Sequence, residues 1–279
     1  MFYLLKSFIQ MKILINNNDL NEALYGVSNL GFVPTMGSLH NGHISLIKKS
    51  LKECNRTIVS IFINPTQFNN KSDFKRYPRN QSKDLLILKK LNVDYIYLPN
   101  YSHIYNSKNK GQIKLQKKDK ILCAKYRKKH FEGVIDVMNR LTSLIKPKKI
   151  YMGMKDFQQF YLVKKYIKKI YRSRIIPCKT IRTKNKLALS SRNLLLNKNQ
   201  IIKAGKIAKN IFYLKKKLKK GNILKLLANK KNELIKTYKI NIDYLELRNS
   251  SNLKISNNIK NSKIFIAYYI NKVRLIDNF

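Results

Sequence analysis

The segment PTMGSLHNGH, residues 34–43, concentrates groups that could handle a phosphate. It follows a short apolar run and opens a stretch with helical spacing, so it reads as a strand-to-helix turn. Gly37 permits a tight turn, and Gly42 lets a ligand approach the backbone where the helix begins. His40 and His43 are three apart and share a side if the first turn is helical. Backbone N–H groups and the positive helix end favour phosphate there. Two imidazoles can then donate to the oxygens of a triphosphate. A bare His-x-x-His reads as two surface histidines on a cap, but the strand–Gly–His-x-Gly-His–helix context favours the phosphate reading. The chain has only 4 histidines, and two of them are here.

Three further segments carry usable side chains. In SIFINPTQF, residues 60–68, a β-branched run enters Asn64-Pro65 and presents Gln67 just past it. That is where an amide would read a substrate at the carboxyl end of a parallel strand. In GMKDFQQF, residues 153–160, Lys155 offers a mobile positive charge for a phosphate. Asp156 suits a helix cap or a ribose hydroxyl, and Gln159 sits one turn into the helix. In LALSSRN, residues 187–193, Ser190, Ser191 and Arg192 form a small anion clamp. With the upstream His-x-Gly-His, they suggest ATP held between two lobes.

The elements that must position these groups alternate through the first two thirds of the chain. Strands are expected over 30–34, 57–63, 93–98 and 149–152, with extended structure over 174–182. Helices are expected over 42–54, 82–91, 131–145 and 156–170. This rhythm predicts a doubly wound, Rossmann-like parallel sheet of the α/β class. After about residue 184 the rhythm changes. Helices over 198–220 and 222–238, then strands over 242–247 and 263–270, predict a smaller α+β C-terminal domain. The expected boundary separates 1–182 from 183–279.

Composition excludes several classes. A chain of 279 residues with 44% hydrophobic and 10% aromatic residues can fold around a core. No run approaches the roughly 18 apolar residues of a membrane helix, and no membrane partner is expected. The opening MFYLLKSFIQMKILI reads poorly as a secretory signal, and Met11 is an alternative start. The 3 cysteines lack a Cys-x-x-Cys pair, which points to a reducing cytoplasm. The net charge of +45 would ordinarily suggest nucleic acid. The lysines are spread along the whole chain, however, and they accompany abundant Asn and Ile, as AT-rich coding would produce. No dedicated nucleic-acid partner is expected.

In this order and at these separations, the motifs closely resemble the pantothenate synthetase (pantoate–β-alanine ligase) family. PTMGSLHNGH, SIFINPTQF, YPRN with Asp84, FEGVIDVMNRL, GMKDFQQF and the closing VRLIDN carry the resemblance, from about Gly31 to Asn278. It implies that ATP and pantoate form pantoyl adenylate and pyrophosphate, after which β-alanine displaces AMP. It also implies that Met36, Gly37, Ser38, Leu39, His40, Asn41, Gly42 and His43 bind ATP, with His43 the candidate acid. Gln67 and Gln159 would hold the substrate acid. Gly153, Met154, Lys155 and Asp156 would hold ribose and phosphate, and the Ile181 backbone would meet adenine. Leu189, Ser190, Ser191 and Arg192 would close on the triphosphate. Asp84 matches an acidic position linked to Mg²⁺, and a homodimer is the family default.

Two departures stand out. Lys128-Lys129 replaces the family's Pro-Gly before His130, and Asn185-Lys186 replaces Asp-Gly before Leu187. The phosphate and acid-binding residues are intact, so activity is expected. One rival is a nucleotidyltransferase that adenylylates a phosphate; the neutral Gln67 and Gln159 suit a hydroxy acid better. The other, an RNA-associated basic protein, requires clustered basic and aromatic residues that the chain does not have.

Overall fold

The structure is a computed structural model and describes residues 11–105, 113–218 and 221–279. Met1, one of the two candidate starts, and residues 219–220 of the helix expected over 198–220 fall outside these; that helix ends at Lys217. The chain divides into two compact units. The first comprises the described residues up to Leu115, Lys129–Met152 and Leu162–Cys178; the second comprises Gln116–Lys128, Gly153–Tyr161 and Lys179–Phe279.

The first unit is built on a six-stranded sheet. Its strands are β1 (Lys12–Leu14), β2 (Leu30–Thr35), β3 (Arg56–Ile61), β4 (Tyr95–Tyr97), β5 (Lys149–Gly153) and β6 (Arg174–Cys178). Their order is β1-β4-β3-β2-β5-β6, and β1 with β4, β4 with β3, β3 with β2 and β2 with β5 pair in parallel. Across both units the described α-helices are α1 (Asn17–Leu24), α2 (Asn41–Glu53), α3 (Lys71–Arg76), α4 (Gln81–Lys90), α5 (Tyr101–Ile104), α6 (Cys123–Tyr126), α7 (His130–Ile145), α8 (Phe157–Ile167), α9 (Lys198–Lys217) and α10 (Ile223–Tyr238).

The strands alternate faces with period two. Val33, Val59, Ile96 and Tyr151 join Leu46 and Ile47 of α2 and Leu88 of α4 in one cluster. Phe32, Ile58 and Ile150 point the other way and are also fully buried, so both faces are covered, as a parallel sheet requires. Gly31 allows α2 to lie close on β2, because a Cβ there would meet Ser50 Oγ and Cys54 Sγ. The strand order reverses between β2 and β5, and in such sheets ligands bind beyond the carboxyl ends at that point. The chain leaving β2 there is the His-x-Gly-His segment.

In the second unit, β7 (Asn241–Asn249), β8 (Ser262–Ile270) and β9 (Val273–Asn278) form an antiparallel meander. Ala204, Ile207 and Ile211 of α9 and Ile223, Leu227 and Leu234 of α10 pack with Leu247, Ile264 and Ile266 of this sheet. The α/β class with a small α+β part is therefore as expected. Six helices and strands were not anticipated: β1, only three residues long; α1, capped by Asn16; the short helices α3, α5 and α6; and β9, which completes the meander.

Candidate active site

In the first unit, the loop after β2 is fixed by a reciprocal cap. His40 is the N-cap of α2, with φ −137° and ψ 174°. Its Nδ1 accepts the Gly42 N–H at 3.0 Å, and His43 Nδ1 accepts the His40 N–H at 3.4 Å. The ring centroids are 4.1 Å apart. A backbone amide can only donate, so both Nδ1 atoms present lone pairs and each neutral ring carries its proton on Nε2. The cap thus makes two Nε2–H donors at a helix start that already favours anions. Gly42 is required by this packing, since a Cβ there would fall 2.6 Å from His40 Cε1.

The preceding backbone is left-handed at Gly37 (φ 75°) and Ser38 (φ 53°). Asp84, in the first turn of α4, holds it there. Its Oδ2 accepts from Ser38 N and its Oδ1 from Leu39 N, both at 2.7 Å. Asp84 is 2% exposed. Both oxygens of the residue expected to serve Mg²⁺ thus accept backbone amides of the loop. Leu39 is buried, Met36 half-buried, and Asn41 exposed as the first residue of α2.

Gln67 ends the short 3₁₀ turn Pro65–Gln67 and is half-buried. Asn64 is fully buried and organises this turn. Its Oδ1 accepts from Thr66 N, Thr66 Oγ1 and Tyr105 Oη, and its Nδ2 donates to Gly133 O. Burial pushes the Tyr105 phenol up to about 12, so it remains a donor. His130 Nδ1 lies 2.6 Å from the Gln67 carbonyl. A Cβ on Gly133 would run into the Thr66 carbonyl, which explains the glycine in FEGVI.

The second unit carries the other expected residues. Gly153 ends β5, and Met154–Asp156 is a 3₁₀ turn into α8. Lys155 Nζ is 3.2 Å from Asp156 Oδ1, so Asp156 has an ion-pair role alongside the cap or ribose role expected of it. Gln159 is half-buried in α8. Its neighbour Gln158 is buried and clamps the strained Leu122 (φ 48°) from both sides, accepting from Cys123 N at 3.0 Å and donating to Ile121 O at 2.7 Å.

Residues 181–189 form a tight hairpin. Leu189 N donates to Ile181 O, Thr183 N to Leu187 O and Lys186 N to Thr183 O. This is a turn followed by a left-handed residue, a place that favours glycine; here it is Lys186, at φ 67°. The other departure behaves alike, with Lys129 at φ 62° before α7. Ser190 caps the turn Ser191–Leu195, accepting from Arg192 N while Asn193 Oδ1 accepts from Ser190 N.

Residues 36–43 and Gln67 thus lie in the first unit, and Gly153–Asp156, Gln159, Ile181 and 189–192 in the second. Sequence reasoning missed the supporting roles of Asp84, Asn64 and Gln158. Asp84 and Gln158 act through contacts distant in sequence that leave no local signal, whereas Asn64 also caps its own turn through Thr66, a local signal in Asn-Pro-Thr that went unused.

Residues 11–279 match the family model described as pantoate-beta-alanine ligase. The pantothenate synthetase of Endomicrobium trichonymphae is 39% identical over 274 residues, covering 96% of this chain and 97% of the relative. That of Francisella tularensis subsp. novicida is 40% identical, covering 94% and 93%. Among solved structures, the Francisella tularensis pantoate-beta-alanine ligase complexed with beta-gamma ATP and beta-alanine superimposes with a TM-score of 0.84 at 37% identity, covering 97% of each chain. The Thermus thermophilus pantothenate synthetase gives 0.86 at 26% identity, covering 96% and 99%. The chain belongs to the pantoate–β-alanine ligase family.

Proposed function

We propose that this chain condenses pantoate with β-alanine at the expense of ATP and that the residues described above carry the reaction. It is a pantothenate-forming ligase by family. The pantoate carboxylate attacks the α-phosphorus; the bond to the bridging oxygen breaks and pyrophosphate leaves. The β-alanine amine then attacks the acyl carbon, loses its proton, and displaces AMP. No protein nucleophile is needed, so the chain's work is positioning and charge stabilisation.

The observation that supports this most is the reciprocal cap, which fixes His40 and His43 as two Nε2–H donors at the start of α2. His43 donates toward the departing phosphate oxygens and His40 steadies them. Lys155 and Arg192 add positive charge, and residues 36–42, 153, 154, 156 and 189–191 supply the remaining nucleotide contacts. Ile181 meets adenine through its backbone, while Gln67 and Gln159 hold pantoate. The part after residue 182 serves as the lid.

Mg²⁺ accompanies ATP in this reading. Among the described residues no group of three or more His, Cys, Asp or Glu could hold it, so the ATP phosphates and water would supply most of its ligands, and no step here is routed through it. The three thiols are free and buried, in keeping with a reducing cytoplasm, and no described helix is long and apolar enough to cross a membrane. The homodimer of the family is part of the same proposal.

The test is ATP–pyrophosphate exchange with and without pantoate. Pantoate-dependent exchange is expected, and folded protein lacking it would refute the assignment. His43→Ala should abolish exchange while leaving the circular dichroism spectrum intact; unchanged exchange would remove His43 from its role.

A further inference from the structure

The Met154–Asp156 turn carries Lys155 but has no side-chain cap of its own. One amide at the end of β9 holds it instead. Asn278 Nδ2 donates to Met154 O and to Lys155 O, each at 2.8 Å. An amide nitrogen has two hydrogens, so both are spent on consecutive carbonyls of this turn. Asn278 is buried, at 4% exposure.

Asn278 is itself held from several sides. Its N–H donates to Asp277 Oδ1 at 2.7 Å, and its carbonyl accepts from Arg182 Nη2 at 2.8 Å. Arg182 grips both oxygens of Asp277, at 2.7 and 2.8 Å, and Arg182 Nη1 also donates to Lys186 O at 2.8 Å. Burial raises the Asp277 carboxyl and the Arg182 guanidinium opposes that rise. The groups that fix Asn278 therefore also fix the hairpin over residues 181–189.

We propose that Asn278 is a positioning residue for adenylate formation. It sets the turn that presents the Lys155 ammonium to the triphosphate, and Asp277 and Arg182 hold it in place to do so. This rests on the assignment of ATP to Lys155. A lysine side chain is long and rotatable, so its usefulness depends on where its own backbone is pinned. Asn278→Asp is nearly isosteric but replaces two donors with acceptors facing two carbonyls, so the turn must move. A displacement near 1 Å costs about 10²-fold in rate.

The experiment compares wild type with Asn278→Asp in pantoate-dependent ATP–pyrophosphate exchange, below the unfolding temperature of both. The expected result is a kcat for exchange lower by about 10²-fold, with the KM for pantoate changed less than about threefold. In a Lys155→Ala background, Asn278→Asp should add less than about twofold, because residues acting as one unit are not additive. A merely structural role would multiply the two losses. Wild-type exchange by Asn278→Asp, or full multiplication in the Lys155→Ala background, overturns the proposal. If Asn278→Asp does not fold, Asn278→Ser keeps one donor and should lose about tenfold; wild-type exchange there overturns it equally. If wild type itself showed no pantoate-dependent exchange, the functional assignment would fail first and take this proposal with it.

Discussion

Replacing Asp84 by Asn separates a loop-shaping carboxylate from a metal ligand. Asp84 accepts two short charge-assisted bonds, from Ser38 N and Leu39 N at 2.7 Å each. Such bonds are worth about 1.5–3 kcal/mol each. Asparagine keeps one acceptor oxygen but turns an NH₂ toward the other amide. One charged bond is lost, the other becomes neutral, and a buried donor is orphaned, for a total of about 3 kcal/mol. The loop also stores strain, because a non-glycine left-handed residue such as Ser38 costs about 1–2 kcal/mol. With its anchor weakened the loop should relax and carry the His40 cap with it, lowering exchange by about 10²-fold. Urea unfolding reads the first effect, and ATP–pyrophosphate exchange across a Mg²⁺ titration reads the second. Both losses should persist at saturating Mg²⁺. Rescue by added Mg²⁺ with unchanged stability would refute the reasoning and return Asp84 to the metal.

Two further perturbations test the backbone. Lys129→Gly and Lys186→Gly relieve left-handed strain of about 1–2 kcal/mol each at the expense of about 0.5–1 kcal/mol in unfolded-state freedom, so each should raise the melting temperature slightly. The gain should be smaller at Lys186, whose Nζ lies 5.0 Å from the Phe212 ring centre; a fall in melting temperature at Lys129 would contradict the strain argument. Gly133→Ala would drive a methyl into the Thr66 carbonyl, with about 1–3 kcal/mol of destabilisation and a raised KM for pantoate as the Gln67 turn shifts; wild-type values for both would show that the turn does not depend on this contact.

The regular elements were legible where pattern and length agreed. The β-branched run before Asn64 and the apolar spacing from Phe131 to Ile145 sit within one residue or two of β3 and α7. Helix α8 ends earlier than expected, at Ile167, with 168–170 in a turn. Strand β1 is too short for any periodicity, and β9 alternates too weakly in VRLIDN to declare itself. Of the candidate site, the residues proposed to touch a ligand lie in local strand–turn–helix motifs and could be named from the sequence. Their supports could not. Asp84 meets Ser38 across 46 positions, and Asn278 meets Met154 across 124. The departures at Lys129 and Lys186 marked where the family has glycine; that both remain left-handed had to be seen in the backbone.

The interleaving of the two units sets a timetable for a chain emerging from the ribosome. Residues 116–128 and 153–161 group with Lys179–Phe279, so they leave the tunnel before their partners are made. Cys123 must wait for Tyr244 and Arg274, and the Lys155 turn must wait for Asn278. Assembly of long-separated partners is slow, and surface exposed in the interval invites aggregation. In a chain of this design the His40–His43 pair can form early, whereas the Lys155 turn gains its anchor only once Asn278 has been made.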